Sequence, residues 1–240
     1  MAKPKILVVD IETAPGIAYV WQLWDVNVGL EQLIDPGRVI CAAWQWYGTR
    51  NVEFGAEWSD KDTTKWLKDL HAAMSEADAV VTFNGNKFDL PKLNGEFIRI
   101  GLGRPAPAPS IDLRVTTKKL GYISGKLAFL GPYLKIGAKV KHEGFELWSK
   151  VLAGDESARK RMETYNRQDT RLTSALYTKI LPYITNHPYL RDVKATECPA
   201  CGSKHTQHRG TRRTKAFIID RIHCQDCGSW ADGKRKKAGK

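Results

Sequence analysis

Apolar positions come in short runs over the first half of the chain and at a longer period over the second. Residues 5–9, Lys-Ile-Leu-Val-Val, and residues 39–47 form apolar runs of strand length, and residues 51–54 form a third after Gly48-Thr49-Arg50. These predict one strand followed by a hairpin. Residues 62–77 place Trp66, Leu67, Leu70, Ala73 and Met74 at helical spacing, with Asp60 or Asp62 as N-cap. Residues 79–83 read as a short buried strand, 90–100 as a helix and 110–113 as the end of another strand. From 145 to 184 the pattern is helical, broken at Gly154, with Asp155 capping a second and longer helix. Strands first and strand-helix alternation afterwards predict an α/β fold, a mixed β-sheet flanked by helices.

The composition of the 240 residues, 42% hydrophobic, 10% aromatic and 27% charged, excludes a disordered, collagen-like or fibrous chain. The length suits one good-sized domain, or one domain with a small appendage. No run approaches the roughly 20 apolar residues of a membrane span, and no signal-peptide core follows Met1, so a cytoplasmic protein without a membrane partner is expected. A formal net charge of +12 favours a polyanionic partner. That charge is uneven: residues 1–190 hold 25 basic and 21 acidic side chains, residues 191–240 hold 13 and 5. The shift, with the break at Asn186-His187-Pro188, places a boundary near residue 188. The expected domains are 1–188 and 189–232, with 233–240 as a basic, disordered tail.

Polar groups interrupting the apolar pattern carry the chemistry. Residues 8–13 spell Val-Val-Asp-Ile-Glu-Thr, and strand alternation points Asp10 and Glu12 to one face at the end of an apolar strand. Paired carboxylates there repel and lose hydration unless a cation joins them. The alternative is a strand that simply emerges into solvent. Residues 84–89, Asn-Gly-Asn-Lys-Phe-Asp, follow the buried strand at 79–83. Asn84-Gly85 predicts a turn, and Asp89 falls where the next helix begins, with an N-cap as its simplest role. Tyr165 and Asp169 stand one turn apart in the long helix, in register with Met162, Leu172 and Leu176. A carboxylate on a core-facing stripe needs a partner; the alternative is an ordinary tyrosine packing at a helix margin beside a solvated acid.

Together, Asp10, Glu12, Asp89, Tyr165 and Asp169 resemble the tyrosine-bearing (DEDDy) branch of the DEDD exonucleases. The spelling is especially close to the proofreading domains of family B DNA polymerases: Asp-Ile-Glu-Thr, then Asn-x-x-x-Phe-Asp running into Leu90-Pro91, then Tyr-x-x-x-Asp, in matching order over residues 5–180. The resemblance implies a ribonuclease H-like fold and a stand-alone, phage-type exonuclease of DNA replication or repair, removing nucleotides from 3′ ends. It implies two Mg²⁺ or Mn²⁺ ions, with Asp10 bridging both, Glu12 and Asp169 completing the site that activates water, and Asp89 supporting the second ion. Tyr165 would orient the water, and Thr13, Asn84 and Phe88 would contact the terminal nucleotide. Oxygen donors without His or Cys suit Mg²⁺, and two such ions can stabilise both the entering and the leaving oxygen of an in-line displacement. DNA is favoured over RNA. An RNA exonuclease, a ribonuclease H-like endonuclease and a non-catalytic nucleic-acid binder stay open.

Residues 114–141 hold seven basic and no acidic side chains, a candidate phosphate wall in which Lys118, Lys119 and Lys126 are singled out; a solvated helix face is the alternative. Asp112 resembles an additional acid that follows the second motif in such exonucleases, which implies a structural role outside the metal set. Trp21 and Trp24 are expected in the core, although exposed they could stack on a frayed 3′ end. Cys198, Cys201, Cys224 and Cys227 form two C-x-x-C-G pairs 22 residues apart, resembling a zinc ribbon with one structural Zn²⁺. Arg212, Arg213 and the basic run at 234–237 suggest that the ribbon grips nucleic acid, docking to a replication or recombination protein being the competing role. The protein is expected to be a monomer, in the host cytoplasm if phage-encoded.

Overall fold

The computed structural model describes residues 4–185, 187–188 and 196–238. In chain order its elements are β1 (Ile6–Thr13), β2 (Ile17–Ala18), β3 (Leu33–Asp35), β4 (Val39–Trp46), β5 (Glu53–Ala56), α1 (Lys65–Glu76), β6 (Ala79–Thr82), α2 (Asp89–Arg99), β7 (Ser110–Asp112), α3 (Leu113–Thr117), α4 (Leu127–Tyr133), α5 (Phe145–Leu152), α6 (Glu156–Ile180), β8 (Thr206–Arg213), β9 (Phe217–Cys224) and β10 (Trp230–Lys237). Five strands form a mixed sheet in the order β5-β4-β1-β6-β7. β4 pairs antiparallel with β1 and β5. β6 and β7 join in parallel, each reached through a helix as parallel pairing requires.

β1 lies at the centre with both faces covered, so its first half, Ile6 to Val9, reads as an unbroken apolar run. Leu7, Val9 and Ile11 pack with Trp66 and Leu70 of α1 and with Leu93 and Phe97 of α2. Ile6 and Val8, on the other face, pack with Leu172 and Leu176 of α6. Asp10 and Glu12 continue that second series, so the pleat that buries the strand also aims both carboxylates at α6.

The α/β sheet and its helices match the sequence pattern, including the break at Gly154 (φ 88°) and the Asp155 cap, whose Oδ1 accepts from the Ala158 N–H at 2.9 Å. Three expectations need correction. α1 starts at Lys65, because Asp62 spends its carboxylate on the Thr64 N–H and Oγ1 in a turn ahead of the helix. Residues 233–237 are not disordered: they belong to β10, where Arg235, Lys236 and Lys237 pair with Ile219, Ile218 and Phe217. Backbone pairing asks nothing of side-chain burial, so a run of cations can form an exposed strand. Trp21 and Trp24 are not core: they are 100% and 82% exposed on an arm, residues 14–37, that leaves the sheet through β2 and β3.

β8, β9 and β10 form a separate three-stranded antiparallel sheet with the four C-terminal cysteines at one end. The boundary expected after residue 188 falls at 189–195, outside the described residues. Among the described residues no helix is long and apolar enough to cross a membrane.

Candidate active site

Asp10 and Glu12 from β1 and Asp169 from α6 each offer a carboxylate oxygen within 4.8 Å of the others. Asn166, fully buried on α6, donates from Nδ2 to Asp10 Oδ2 at 2.7 Å and to the Asp10 carbonyl at 3.3 Å. Lys139 Nζ donates to Asp169 Oδ2 at 2.6 Å and to the Tyr165 hydroxyl at 3.3 Å. The Tyr165 ring is fixed by edge-on contacts with His142 and Trp148, at centroid distances of 4.8 and 6.0 Å. Asp169 Oδ1 is buried without a hydrogen-bond partner among the described residues.

Asp89 stands one step back, outside the three-carboxylate cluster, its Oδ1 accepting the Ile11 N–H at 3.2 Å. The turn before it is tightly specified. Asn84 takes a left-handed φ of 72°, which asparagine tolerates better than most residues. A Cβ at Gly85 would lie 2.3 Å from Thr82 Oγ1. Asp112 ties this turn down, Oδ1 accepting the Asn84 and Arg114 N–H groups and Oδ2 that of Asn86.

The cluster is electrostatically costly in the absence of cations. Burial, and then the charges of Glu12, Asp89 and Asp169, push the Asp10 carboxyl well above the usual range. Burial followed by Asp169 pushes Glu12 up to about 8. Burial pushes Asp89 up to about 7 against backbone hydrogen bonds that hold it down. Burial together with the neighbouring carboxylates also raises the Tyr165 phenol, keeping it protonated at neutral pH.

A carboxyl more basic in the folded than in the unfolded chain takes up protons on folding, and the stability it contributes is lost as pH climbs through its folded pKa. For Glu12 the window runs from 4.5 to about 8. In chelator, the urea midpoint is therefore expected to be higher near pH ~5.5 than near pH ~8. Glu12→Gln should narrow the difference; an unchanged difference would remove Glu12 as a source.

A family model described as the RNase_H superfamily matches residues 33–181, more than half of the chain. The chain belongs to the RNase_H superfamily. The matched span contains Asp89, Tyr165 and Asp169, while Asp10 and Glu12 precede it. Among solved structures, a family B DNA polymerase from the hyperthermophilic archaeon Pyrobaculum calidifontis superposes with a TM-score of 0.55 over 75% of this chain, at 20% identity. The chain spans only 25% of that polymerase, and the likeness is one of fold. No curated protein matches the sequence.

RNase_H superfamily nucleases work with divalent metal ions, and the residues here suit that use. Among the described residues, three clustered carboxylates face one cation, Lys139, and Asp169 Oδ1 lacks a partner. An oxygen-only donor set of this charge favours a hard divalent ion. At the other end of the chain the four cysteine sulfurs also lie within 4.8 Å of one another, with Cys198–Cys227 and Cys201–Cys224 separations of 3.6 and 3.7 Å. Zinc at about 2.3 Å from each thiolate gives tetrahedral edges of about 3.8 Å, so this set fits one zinc ion with no position left for water. Gly202 and Gly228, at φ 72° and 73°, let each knuckle fold back, their N–H groups reaching the carbonyls of Cys198 and Cys224.

The structure thus gathers Asp10, Glu12, Tyr165 and Asp169 around one point with Asp89 behind them. Thr13 ends β1 beside them, Asn84 shapes the turn, and Phe88 is half-exposed beneath Lys92. Lys118, Lys119 and Lys126 are exposed on and around α3 and α4, and none of them is bonded to the carboxylates. The member of that basic run that does reach them is Lys139. Arg213 is exposed, whereas Arg212 is held bidentately by Asp232 at 2.9 and 2.6 Å. Sequence reasoning did not single out Lys139 or Asn166. Asn166 carried a usable signal, being a polar residue on the same buried helical stripe as Asp169.

Proposed function

We propose that the chain is a DEDDy-type 3′→5′ exonuclease acting on single-stranded or frayed DNA ends. The observation that supports this reading is the convergence of Asp10, Glu12 and Asp169 with a buried, protonated Tyr165 hydroxyl, in the order and spelling of the DEDDy motifs. Asp10, Glu12, Asp89 and Asp169 would hold two Mg²⁺ or Mn²⁺ ions. When bound, such ions supply Lewis acidity to the phosphodiester and to the attacking water. Tyr165 acts as a positioning group, since a phenol raised above its ordinary value stays protonated at neutral pH: it cannot take the proton of water, and it keeps an O–H to donate. Lys139 holds the Tyr165 hydroxyl and Asp169 in one arrangement and offsets part of the negative charge. Asn166 fixes the rotamer of Asp10.

The cysteine module is a zinc ribbon with a structural ion, and its exposed Arg209, Arg213 and β10 lysines give it the charge of a nucleic-acid grip. It forms one part of a cytoplasmic, monomeric enzyme of DNA replication or repair, the phage-type form of this exonuclease. Time courses on 5′-labelled single-stranded DNA, duplex DNA and RNA with Mg²⁺ or Mn²⁺ test the proposal. The expected result is a ladder shortening from the 3′ end, fastest on single-stranded DNA. Internal cuts, or cleavage confined to RNA, would replace this reading with an endonuclease or an RNA exonuclease, and binding without cleavage would overturn it.

A further inference from the structure

The arm at residues 14–37 has no role in the chemistry described so far, yet it carries eleven of the twenty exposed large apolar side chains among the described residues. Tyr19, Trp21, Leu23 and Trp24 are 74%, 100%, 83% and 82% exposed. An apolar concentration of this kind on a charged, soluble surface marks an interaction site. The arm is also built to hold its form. Ile17 pairs with Asp35 and Ala18 with Leu33, the Tyr19 N–H donates to the Gln32 carbonyl, and the Gln32 side chain returns a bond to the Tyr19 carbonyl at 2.9 Å. At its foot Arg38 bridges Asp35 and Glu57.

Two observations indicate the occupant. Both ends of the arm are anchored where the carboxylates lie: it leaves β1 directly after Thr13 and returns into β4, whose Cys41 pairs with Glu12 and whose Val39 pairs with Thr13. The arm is therefore rooted in the two strands that carry and flank Glu12. The second is charge. Its apolar stretch, residues 17–30, includes a single charged side chain, Asp25, with Glu31 and Asp35 following on the return, within a chain of net charge +12. Like charge of that size repels a second copy and attracts a polyanion. An almost uncharged surface rich in aromatic rings has little to offer phosphates and much to offer the faces of unpaired bases.

Resting on the nuclease reading above, we propose that the arm is a base-stacking platform that holds the unpaired strand through Trp21 and Trp24, and so selects single-stranded over paired ends. A duplex hides its base faces, and the arm gains nothing from it.

The test compares wild type, Trp21→Ala/Trp24→Ala and Trp21→Phe/Trp24→Phe. Affinity is measured in chelator for labelled oligothymidylate and for a blunt duplex, beside metal-dependent hydrolysis of the p-nitrophenyl ester of thymidine 5′-phosphate, which is too small to span the arm. The alanine pair is expected to weaken single-strand binding roughly tenfold or more, and the phenylalanine pair to restore most of it. Duplex affinity and ester turnover should change less than about twofold, because the exposed tryptophans support neither. Unchanged single-strand affinity in the alanine pair would overturn the proposal. So would sedimentation of the wild type as a dimer that the alanine pair dissociates, since a second copy would then be the occupant. Absence of ester turnover in the wild type would count against the nuclease reading, while the affinity ratio would still decide the role of the arm.

Discussion

Asp10→Ala is expected to lower metal-dependent phosphodiester hydrolysis by on the order of 10³-fold or more while the fold persists. Metal-centred charge stabilisation is worth several kcal/mol in the transition state, and about 1.4 kcal/mol corresponds to each tenfold in rate. Asp10 stands within reach of both Glu12 and Asp169, so its loss dismantles the donor set instead of trimming its rim. The fold should survive because Asp10 is held there at a cost: burial and three neighbouring carboxylates all raise its carboxyl. Removing one of several mutually repelling groups relieves the metal-free protein even though Asn166 loses an acceptor. Rates from end-labelled DNA and melting in chelator together check this outcome. A variant that is inactive and also unfolded would show Asp10 to be structural, and one that retains activity within about tenfold would remove it from the chemistry.

The same tension between burial and charge explains what could be read from the sequence. Asp10, Glu12 and Asp169 each interrupt an apolar pattern, which alone is equally the mark of a solvated strand end or helix margin; they were legible as a set because, with Asp89 and Tyr165, they resemble the DEDDy motifs. The sheet was legible because β1 and β6 are apolar on both faces and the β4–β5 hairpin is marked by its turn. Lys139 was not legible, since nothing distinguishes it from the other cations of its run until α6 brings Asp169 against it. The arm misled for a related reason. Hydrophobic runs report that a surface is to be covered, and Trp21 and Trp24 look the same whether the cover is the core of this chain or something else. β8 and β10 were missed because the pattern of a strand exposed on both faces is that of its solvent, not of its pairing.

Cys224→Ser is expected to have the largest effect on stability. Structural zinc sites contribute roughly 10–16 kcal/mol of apparent binding energy, which in a small metal-bound sheet is folding energy. A zinc ion held by four thiolates would lose one of them, and the β8–β10 sheet should become protease-sensitive, with bound zinc expected to fall from about one ion per chain toward none. The consequence should extend past the ribbon. Cys198, Ala200 and Cys224 are buried in the same apolar cluster as Tyr177, Ile180, Leu181 and Ile184 at the end of α6. Gly228 also lies against the Pro182 ring. Unfolding the ribbon uncovers that end, and α6 is the helix that carries Tyr165, Asn166 and Asp169. The nuclease core should consequently melt lower by at least about 3 °C, a shift corresponding to about 1 kcal/mol for a domain of this size. Hydrolysis of a short substrate well below that midpoint should persist, because the carboxylates lie at the other end of the apolar stripe. Elemental analysis, limited proteolysis and calorimetry on the full chain measure the three effects. If zinc were lost with the core transition unmoved, the ribbon would be an independent appendage, and the shared apolar cluster would contribute nothing to holding α6.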